Sequence, residues 1–362
     1  MKTFRFAGVI SLVALIGVTA ACAQSATEAS KAGKKPKVVI VATGGTIAGS
    51  AASQTSAGYQ SGAVGVDILI NAVPDLKNLA DVTGEQIASI GSQDMNDEVW
   101  LKLGKKVNEI LAKPDINGVA ITHGTDTMEE TSYFLQLVVH SDKPVVLTGS
   151  MRPSTAMSAD GPLNIYNAVA IAADPTAKGR GVLVTVDDDI HSAHDIIKTH
   201  TTDVGTMSSG EAGLIGAVLF GKSTWYRTPN QVHTKKSEFS IDGVNALPRV
   251  DIIYAHANMS PDIITSAVQN GAKGIVIAGV GDGNFTAPTQ AAIKAAIGKG
   301  AVVVRSSRVN GGIIRRNIEV NDDEMGTVAS MELNPAKARV LLQLALLKTQ
   351  DAKKIQDYFD RY

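Results

Sequence analysis

Residues 38–49 have the sequence Val38-Val39-Ile40-Val41-Ala42-Thr43-Gly44-Gly45-Thr46-Ile47-Ala48-Gly49. The apolar, β-branched run at the start is typical of a strand buried on both faces of a parallel sheet. Two glycines then permit a tight turn. Thr46 is therefore expected at the carboxyl end of the strand, which is the edge where open α/β sheets bind ligands. Taken alone, the stretch favours Thr46 as a simple cap for the next element of the chain.

A second stretch repeats this arrangement. It is Val119-Ala120-Ile121-Thr122-His123-Gly124-Thr125-Asp126-Thr127, again an apolar run, a glycine and a hydroxyl side chain. Because the carboxyl ends of parallel strands meet at one edge of a sheet, Thr46 and Thr125 are expected to line a single crevice. The repetition favours a functional role for both threonines over capping.

Apolar runs alternate with amphipathic patterns along the rest of the chain, which predicts an α/β fold. We expect a larger N-terminal catalytic domain at 37–227 with a mainly parallel sheet between helices, a linker at 228–248 and a smaller C-terminal α/β domain at 249–362. The predicted strands are 38–42, 118–122, 144–149, 181–186, 250–255, 274–278 and 301–304. The predicted helices are 94–111, 127–140, 163–173, 261–270, 288–298, 335–347 and 352–359. The segment 49–65 is predicted to be a long functional loop.

The N-terminus has the pattern of a secretory signal peptide at residues 1–23. A positively charged start precedes an apolar run too short to span a bilayer, and Ala21-Cys22-Ala23 offers a cleavage site with small residues. Export to the periplasm, a flexible leader at 24–36 and no membrane anchor in the mature protein are expected. Lipoprotein processing at Cys22 is the alternative. Cys22 is the only cysteine, so a chain cut after Ala23 has neither a disulfide nor thiol chemistry.

The composition favours a small-molecule partner. With 362 residues, 44% of them hydrophobic, the chain can bury a large core. Its net charge is −1 and only 4% of its residues are aromatic, whereas a nucleic-acid binder needs a basic excess or a basic stripe with aromatics. The expected partners are small molecules and other copies of this chain.

Both glycine–threonine stretches resemble the signature motifs of bacterial-type L-asparaginases. Segments at 91–97, 151–154, 158–162 and 305–309 also resemble the type II, periplasmic branch with its glutaminase-asparaginases, and the similarity runs from about Val38 to Tyr362. The resemblance implies hydrolysis of L-asparagine, and also of L-glutamine, through a threonyl acyl-enzyme without metal or organic cofactor. It also implies a homotetramer with active sites between subunits. The preferred amide stays open, because Ser150 is familiar from glutaminase-asparaginases whereas Gly91-Ser92-Gln93-Asp94 is the asparaginase-like version.

The resemblance also implies roles for individual residues. Thr46 matches the nucleophile, and Tyr59 matches a mobile-loop tyrosine that contacts it. A second hydroxyl–carboxylate–amine set falls on Thr125, Asp126 and Lys198. The implied substrate-binding residues are Ser92, Gln93, Thr125 and Asp126, with Asn284 and Glu319 supplied by a neighbouring subunit. Without the resemblance, the sequence is as compatible with Tyr59 as a solvated loop aromatic as with Tyr59 as part of the site. Lys198 would be interpreted as an ordinary exposed lysine.

Other patterns suggest rival functions. His191-x-x-His194-Asp195 has histidines near each other but lacks a fourth metal ligand. Asp187-Asp188-Asp189 is either a cation site or a solvated turn. Gly279-Val280-Gly281-Asp282-Gly283 follows a strand as a dinucleotide turn does, although Asn284 stands in place of the third glycine. Together with Arg305 and Arg308 it keeps an NADP-dependent enzyme as one alternative. A periplasmic amino-acid-binding protein with two lobes and no chemistry is the other.

Overall fold

The computed structural model describes residues 34–56 and 58–362. The predicted signal peptide at 1–23 and most of the predicted leader at 24–36 lie outside the described residues. From Pro36 to Tyr362 the chain forms one compact unit. Within the described ranges, every helix is too short or too polar to cross a bilayer.

The larger sheet has eight strands and is built as the alternating apolar runs predict. Its strand order is β12-β11-β8-β7-β6-β5-β1-β4. The five strands from β4 to β7 pair in parallel, and β8, β11 and β12 extend the sheet in antiparallel fashion. The bounds are β1 Lys37–Gly44, β4 Asp81–Ile90, β5 Gly118–Thr122, β6 Val145–Thr148, β7 Val182–Val186, β8 Asp189–Ser192, β11 Gly216–Leu219 and β12 Lys222–Trp225.

Helices cover both faces of this sheet. Along β1, Val39 and Val41 pack into one apolar core while Val38 and Ile40 pack into the other, as the two-residue period of a strand requires. Helices α3 and α4 contribute to the first core, and α1, α2 and α5 contribute to the second. Their bounds are α1 Val66–Asn71, α2 Leu76–Leu79, α3 Asp97–Ala112, α4 Met128–Val138 and α5 Gly161–Ala173.

The C-terminal part repeats the plan on a smaller scale. A parallel sheet in the order β13-β14-β15-β16 has α6 and α7 on one face. Helices α9 and α10 belong to the same core as α3 and α4, so the two sheets share a continuous apolar interior. The bounds are β13 Val250–Tyr254, β14 Gly274–Gly279, β15 Val302–Ser307, β16 Val328–Ala329, α6 Asp262–Gln269, α7 Ala287–Gly298, α8 Asp322–Met325, α9 Pro335–Leu346 and α10 Ala352–Phe359.

The segment 228–248 joins the two sheets and is more closely packed than its polar composition indicates. It contains one short 3-10 turn at Thr234–Lys236. Phe239, Ile241 and Leu247 are buried in the shared core, and the ring of Phe239 lies 5.0 Å from that of Tyr358. The predicted linker is therefore held against the body of the protein.

All the strands and helices predicted from sequence are present, with bounds shifted by a few residues. The shift at α3 has a local cause. The predicted helix at 94–111 starts at Asp97, because the Asn96 side chain caps it by accepting a hydrogen bond from Val99 N at 3.1 Å. The sequence prediction lacked β4, β8 and β12, in which polar residues interrupt the apolar pattern, and the four-residue strand β11.

Candidate active site

The turns after β1 and β5 meet at the carboxyl edge of the larger sheet. The two strands are parallel neighbours, with Val38 opposite Gly118. A Cβ atom placed on Gly45 would lie 2.3 Å from Gly124 N, so the two backbones touch and only glycine fits there. Gly45 also has a φ of 82°, a region that favours glycine. The contact brings the segments that carry Thr46 and Thr125 together.

Thr46 begins a single 3-10 turn, Thr46–Ala48, and only 8% of its surface is exposed. Its Oγ1 shares a hydrogen bond with the hydroxyl of Tyr59 at 2.6 Å. Tyr59 lies in a small hairpin, formed by β2 Ser50–Ala51 and β3 Tyr59–Gln60, where the sequence predicts an irregular loop. A Cβ on Gly49 would lie 2.8 Å from the Tyr59 ring, so this glycine lets the ring lie close to the turn.

Thr125 is part of a second polar set. Lys198 donates from Nζ to Thr125 Oγ1 at 2.9 Å and to Asp126 Oδ1 at 2.6 Å. The Lys198 side chain is 18% exposed and the Asp126 side chain 58% exposed, so the amino group is largely enclosed while the carboxylate faces solvent. Lys198 belongs to β9 Ile197–Lys198, whose one strand partner among the described residues is β10 Met207–Ser208. The structure thus joins three of the residues named from sequence.

Ser92 connects this set to the turn after β4. It is buried, its Oγ accepts a hydrogen bond from Asp126 N at 3.2 Å, and its carbonyl accepts one from Thr127 Oγ1 at 2.8 Å. Gln93 is exposed next to it, and its amide lies over Gly91, where a Cβ would be 2.4 Å away. Ser92 and Gln93 therefore lie at the same edge of the sheet as Thr125.

Glu129 was not assigned a role from sequence, although it lies within the second motif. In the first turn of α4, its Oε2 accepts a hydrogen bond from Lys198 N at 3.1 Å and its Oε1 accepts one from Asn334 Nδ2 at 3.2 Å. It thereby connects the Thr125 segment to the Lys198 strand and to α9. Its position one turn beyond Asp126 is the only local signal that could have drawn attention to it.

His123 directly precedes Gly124 but is not exposed to the crevice. Its ring is completely buried and its Nδ1 contacts the Gly124 carbonyl at 2.7 Å. Burial lowers the pKa of His123 to about 4, although the contact with that carbonyl opposes the shift. His123 is therefore neutral near pH 7 and lies in the core rather than in the crevice.

Asn284 and Glu319 lie in the C-terminal part of the chain. The Asn284 side-chain amide donates to a Glu319 carboxylate oxygen, so these two residues are indeed neighbours. Among the described residues, neither forms a hydrogen bond with Thr46, Thr125 or Lys198 of the same chain. Within a single chain, the structure does not bring this pair into the site.

The histidine pattern at 191–195 is structural. His191 Nδ1 pairs with Ser209 Oγ at 2.8 Å, and burial lowers the pKa of His191 to about 4. His194 Nδ1 contacts Asp195 Oδ1 at 2.6 Å, and Arg227 donates to Asp195 Oδ2 at 2.6 Å. No group of three or more His, Cys, Asp or Glu side chains in the described ranges is arranged to hold a metal ion.

Asp187 and Asp188 form the tight turn between β7 and β8, both with positive φ.

The glycine-rich turn at 279–283, which resembles a dinucleotide-binding turn, has a structural role. Arg305 is completely buried and donates to both carboxylate oxygens of Asp322, at 3.0 and 2.8 Å. Its Nη1 donates to the Asp282 carbonyl at 2.7 Å, within the glycine-rich turn. Arg308 donates to the Ala255 carbonyl at 3.2 Å. Since Arg305 is committed to these partners, it is not free to bind a 2′-phosphate, which removes the main support for NADP binding.

Comparison with known proteins agrees with this architecture. Residues 37–231 match the family model "Asparaginase, N-terminal" and residues 249–359 match "Glutaminase/Asparaginase C-terminal domain". The chain belongs to the asparaginase family. It is 50% identical to the "Probable L-asparaginase periplasmic" of Haemophilus influenzae over 90% of this chain and 93% of that protein. It is 45% identical to the "Glutaminase-asparaginase" of Pseudomonas fluorescens biotype A, over 100% and 99% of the two chains.

A solved structure shows the same fold. It is the "Probable Cytoplasmic L-asparaginase" of Campylobacter jejuni, with a TM-score of 0.88 and 47% sequence identity. The match covers 91% of this chain and 100% of that one. The expected fold class, a larger N-terminal part with a mainly parallel sheet and a smaller C-terminal α/β part, is confirmed. The names of these relatives place family members both in the periplasm and in the cytoplasm.

Proposed function

We propose that this protein hydrolyses L-asparagine, and also L-glutamine, to the corresponding acid and ammonia, with Thr46 as nucleophile. The observation that carries the proposal is that two threonines with separate polar partners lie on turns that touch through Gly45 and Gly124 at one sheet edge. Thr46 is bonded to Tyr59, and Thr125 is bonded to Lys198, which also binds Asp126. Family membership supports the same conclusion, since relatives carry the names L-asparaginase and glutaminase-asparaginase.

The chemistry needs a nucleophile and a means of moving protons, because a carboxamide is a poor electrophile and its nitrogen leaves only when protonated. Thr46 Oγ1 attacks the carbonyl carbon and gives up its proton, for which the Tyr59 oxygen is 2.6 Å away. The carbon–nitrogen bond then breaks as the nitrogen takes a proton, ammonia leaves, and an ester on Thr46 remains. Water attacks the ester, releases the acid and restores the Thr46 hydroxyl.

The second polar set suits the proton transfers. The Lys198 amino group binds the Thr125 hydroxyl and the Asp126 carboxylate at once, so a proton can be held or exchanged within the network without separating charge. Backbone N–H groups of the turns after β1 and β5 are proposed to stabilise the negative charge that develops on the substrate oxygen. Thr125, Asp126 and Lys198 are accordingly proposed to act together with Tyr59 as catalytic residues.

Substrate recognition follows from charge. The α-carboxylate of an amino acid is proposed to bind Ser92 and the N–H groups near Thr125, which precedes the N-terminus of α4. Its ammonium group is proposed to bind Asp126, with Gln93 completing the pocket. The Asp126 side chain is more than half exposed, so it is accessible to a ligand from solvent.

Asn284 and Glu319 are proposed to act in the site of a neighbouring copy within a homotetramer. Their mutual hydrogen bond holds the pair together in one chain without any bond to Thr46, Thr125 or Lys198 among the described residues. Light scattering on the purified protein tests the assembly, and a monomer that retains full activity would contradict the shared site.

The decisive assay for the proposed function is ammonia release. Purified protein incubated with L-asparagine should release ammonia continuously, and side-by-side rates with L-glutamine establish the preference. A periplasmic binding protein would instead bind either amino acid without releasing ammonia. A change in NADPH fluorescence on titration would support the NADP-dependent alternative, and we expect none, because Arg305 is fully paired.

Replacing Tyr59 with phenylalanine tests the hairpin. The variant keeps the ring that lies against Gly49 but loses the hydroxyl bonded to Thr46, so the fold should be retained. We expect kcat for asparagine to fall by about 100-fold, the lower end of what a positioned proton-transfer group contributes. Steady-state kinetics measure the change, and Tyr226→Phe, at an exposed tyrosine outside the site, is the control. Unchanged kcat in Tyr59→Phe would remove this hydroxyl from the mechanism.

The cellular compartment is proposed from the N-terminal pattern. The charged start, the apolar run and the small residues at Ala21-Cys22-Ala23 support secretion to the periplasm, with cleavage of residues 1–23. The N-terminal sequence of the protein recovered from the periplasmic fraction tests both points. A full-length chain recovered from the cytoplasm would contradict the proposal.

A further inference from the structure

A buried lysine lies in the first turn of α9. Lys337 is 2% exposed, and its Nζ donates to the carbonyl oxygens of His194 and Ile196, each at 2.6 Å. Both carbonyls belong to the short segment that leads into Lys198. The bonds join residues that are 143 and 141 positions apart in the chain, so they fix one distant segment against another.

Burying an ammonium group at this position costs desolvation free energy. Burial disfavours a charge, and an apolar side chain of similar size would pack without that penalty. Burial lowers the pKa of Lys337 to about 8, while the nearby Glu129 and Asp195 carboxylates oppose the shift. Two charge-assisted hydrogen bonds to carbonyls are strong and directional. The residue type therefore suits a role in which the exact placement of these carbonyls matters.

The strand that carries Lys198 is short and lies outside the large sheet. β9 has two residues, and its one strand partner in the described part of the chain is the two-residue β10. Glu129 accepts a hydrogen bond from Lys198 N, and the flanking residues are held by bonds from Ile196 N to the Ser192 carbonyl and from Thr199 N to the Thr206 carbonyl. Asn334, one turn before Lys337, donates to the other oxygen of Glu129. The N-terminal turn of α9 thus holds this strand directly through Lys337 and indirectly through Glu129.

We propose that Lys337 is a positioning residue for Lys198. By fixing the carbonyls of His194 and Ile196, it holds the Lys198 amino group within hydrogen-bond distance of both Thr125 and Asp126. The inference rests on the proposed function, because it gives Lys337 a role only if Lys198 takes part in the reaction. A displacement of the strand by about 1 Å would break the 2.9 and 2.6 Å contacts of Lys198, and misplacements of that size can cost about 100-fold in rate.

Lys337→Met provides the first test, because it removes the donor and keeps the length of the side chain. We expect kcat for asparagine to fall by about 10- to 100-fold, with KM changed by less than about 3-fold, since the effect passes through Lys198 and the reaction step. Lys348→Met is the matched control, because Lys348 follows the same helix, is 37% exposed in its side chain and donates to Glu238. A purely structural role for Lys337 would lower the unfolding midpoint and leave kcat of the folded protein unchanged, which would overturn the proposal.

A double variant shows whether the two lysines act through one pathway. If Lys337 acts by placing Lys198, then Lys198→Met with Lys337→Met should be no slower than Lys198→Met alone. Losses that multiply would overturn the positioning role. If Lys337→Met retains full kcat while Lys198→Met is impaired, the positioning role of Lys337 is overturned and the proposed function stays intact. Full kcat in Lys198→Met alone would instead overturn the proposed role of Lys198 and this inference with it.

Chemical rescue covers the case in which Lys337→Met does not fold. Lys337 lines a cavity of about 260 Å³ next to His194, Ile197 and Asn334. A small primary amine such as propylammonium can therefore reach the space left in Lys337→Ala and donate to the same carbonyls. We expect added propylammonium to raise kcat of Lys337→Ala and not that of Lys348→Ala. Folded Lys337→Ala that is impaired but not rescued would contradict the proposal, and so would unimpaired Lys337→Ala.

Discussion

Thr46→Val is expected to fold and to release ammonia from asparagine at least about 10³-fold more slowly than the parent, in line with the loss of a catalytic nucleophile. Valine has nearly the shape of threonine and lacks the hydroxyl that would attack the carboxamide. Among the described residues, the Thr46 side chain forms one hydrogen bond, to Tyr59, and its loss should cost only about 1 kcal/mol of folding stability. Turnover should thus fall far more than stability.

Thr43→Val is the matched control for this prediction. Thr43 lies three residues earlier in β1, is buried, and donates from Oγ1 to the Thr122 carbonyl at 2.9 Å. The same chemical change there removes a hydrogen bond outside the proposed reaction, so activity should remain close to the parent value while stability decreases. Thermal unfolding and steady-state ammonia release separate the two effects. Full turnover in Thr46→Val would contradict the assignment of the nucleophile.

A covalent intermediate identifies the attacking residue directly. Enzyme quenched in acid during turnover and digested should carry the acyl group on the peptide that contains Thr46. An adduct on the peptide that contains Thr125 would reverse the roles of the two threonines. The distinction matters because the two turns are in contact through Gly45 and Gly124, so position at the sheet edge does not by itself choose between them.

The sequence predicts the centre of the larger sheet well because central parallel strands are apolar on both faces. β1 and β5 are such strands, and the meeting of their turns follows from their being parallel neighbours. The edge strand β4 was not predicted. It contains Gly84, Glu85 and Gln86, and only one of its ten residues is buried, so its pattern is neither alternating nor continuously apolar. Tertiary pairing with β1 determines its structure.

The side chains around the site were predictable only in part. A lone lysine in a sequence is normally exposed, and the contacts of Lys198 with Asp126 and Thr125 span 72 and 73 residues. Only the family resemblance drew attention to it. Glu129 and Lys337 support the segment around Lys198 through hydrogen bonds to its backbone groups. Because nearly every residue has the same backbone N–H and C=O groups, a bond to the backbone requires no particular residue type at the partner position. The sequence therefore gives no local sign of such bonds.

Lys198→Met is expected to lower kcat for asparagine by about 10²- to 10⁴-fold, the range for a group that transfers or holds a proton in the reaction. Methionine keeps most of the side chain's length, and the backbone N–H that Glu129 binds is untouched, so the strand should stay in place. The substitution removes the ammonium that joins Thr125 to Asp126, which leaves the two groups without a shared partner.

Steady-state kinetics together with thermal unfolding measure this effect, and the exposed Lys294 on α7 provides a control of the same type in Lys294→Met. The control should match the parent in both measurements. Lys198→Met should lose rate while its unfolding midpoint changes little, because the Lys198–Asp126 pair is partly exposed and such pairs contribute about 1 kcal/mol or less. An equal loss of rate in both lysine variants would point to a general effect of charge. A Lys198→Met enzyme as fast as the parent would show that Thr125 and Asp126 act without the amine.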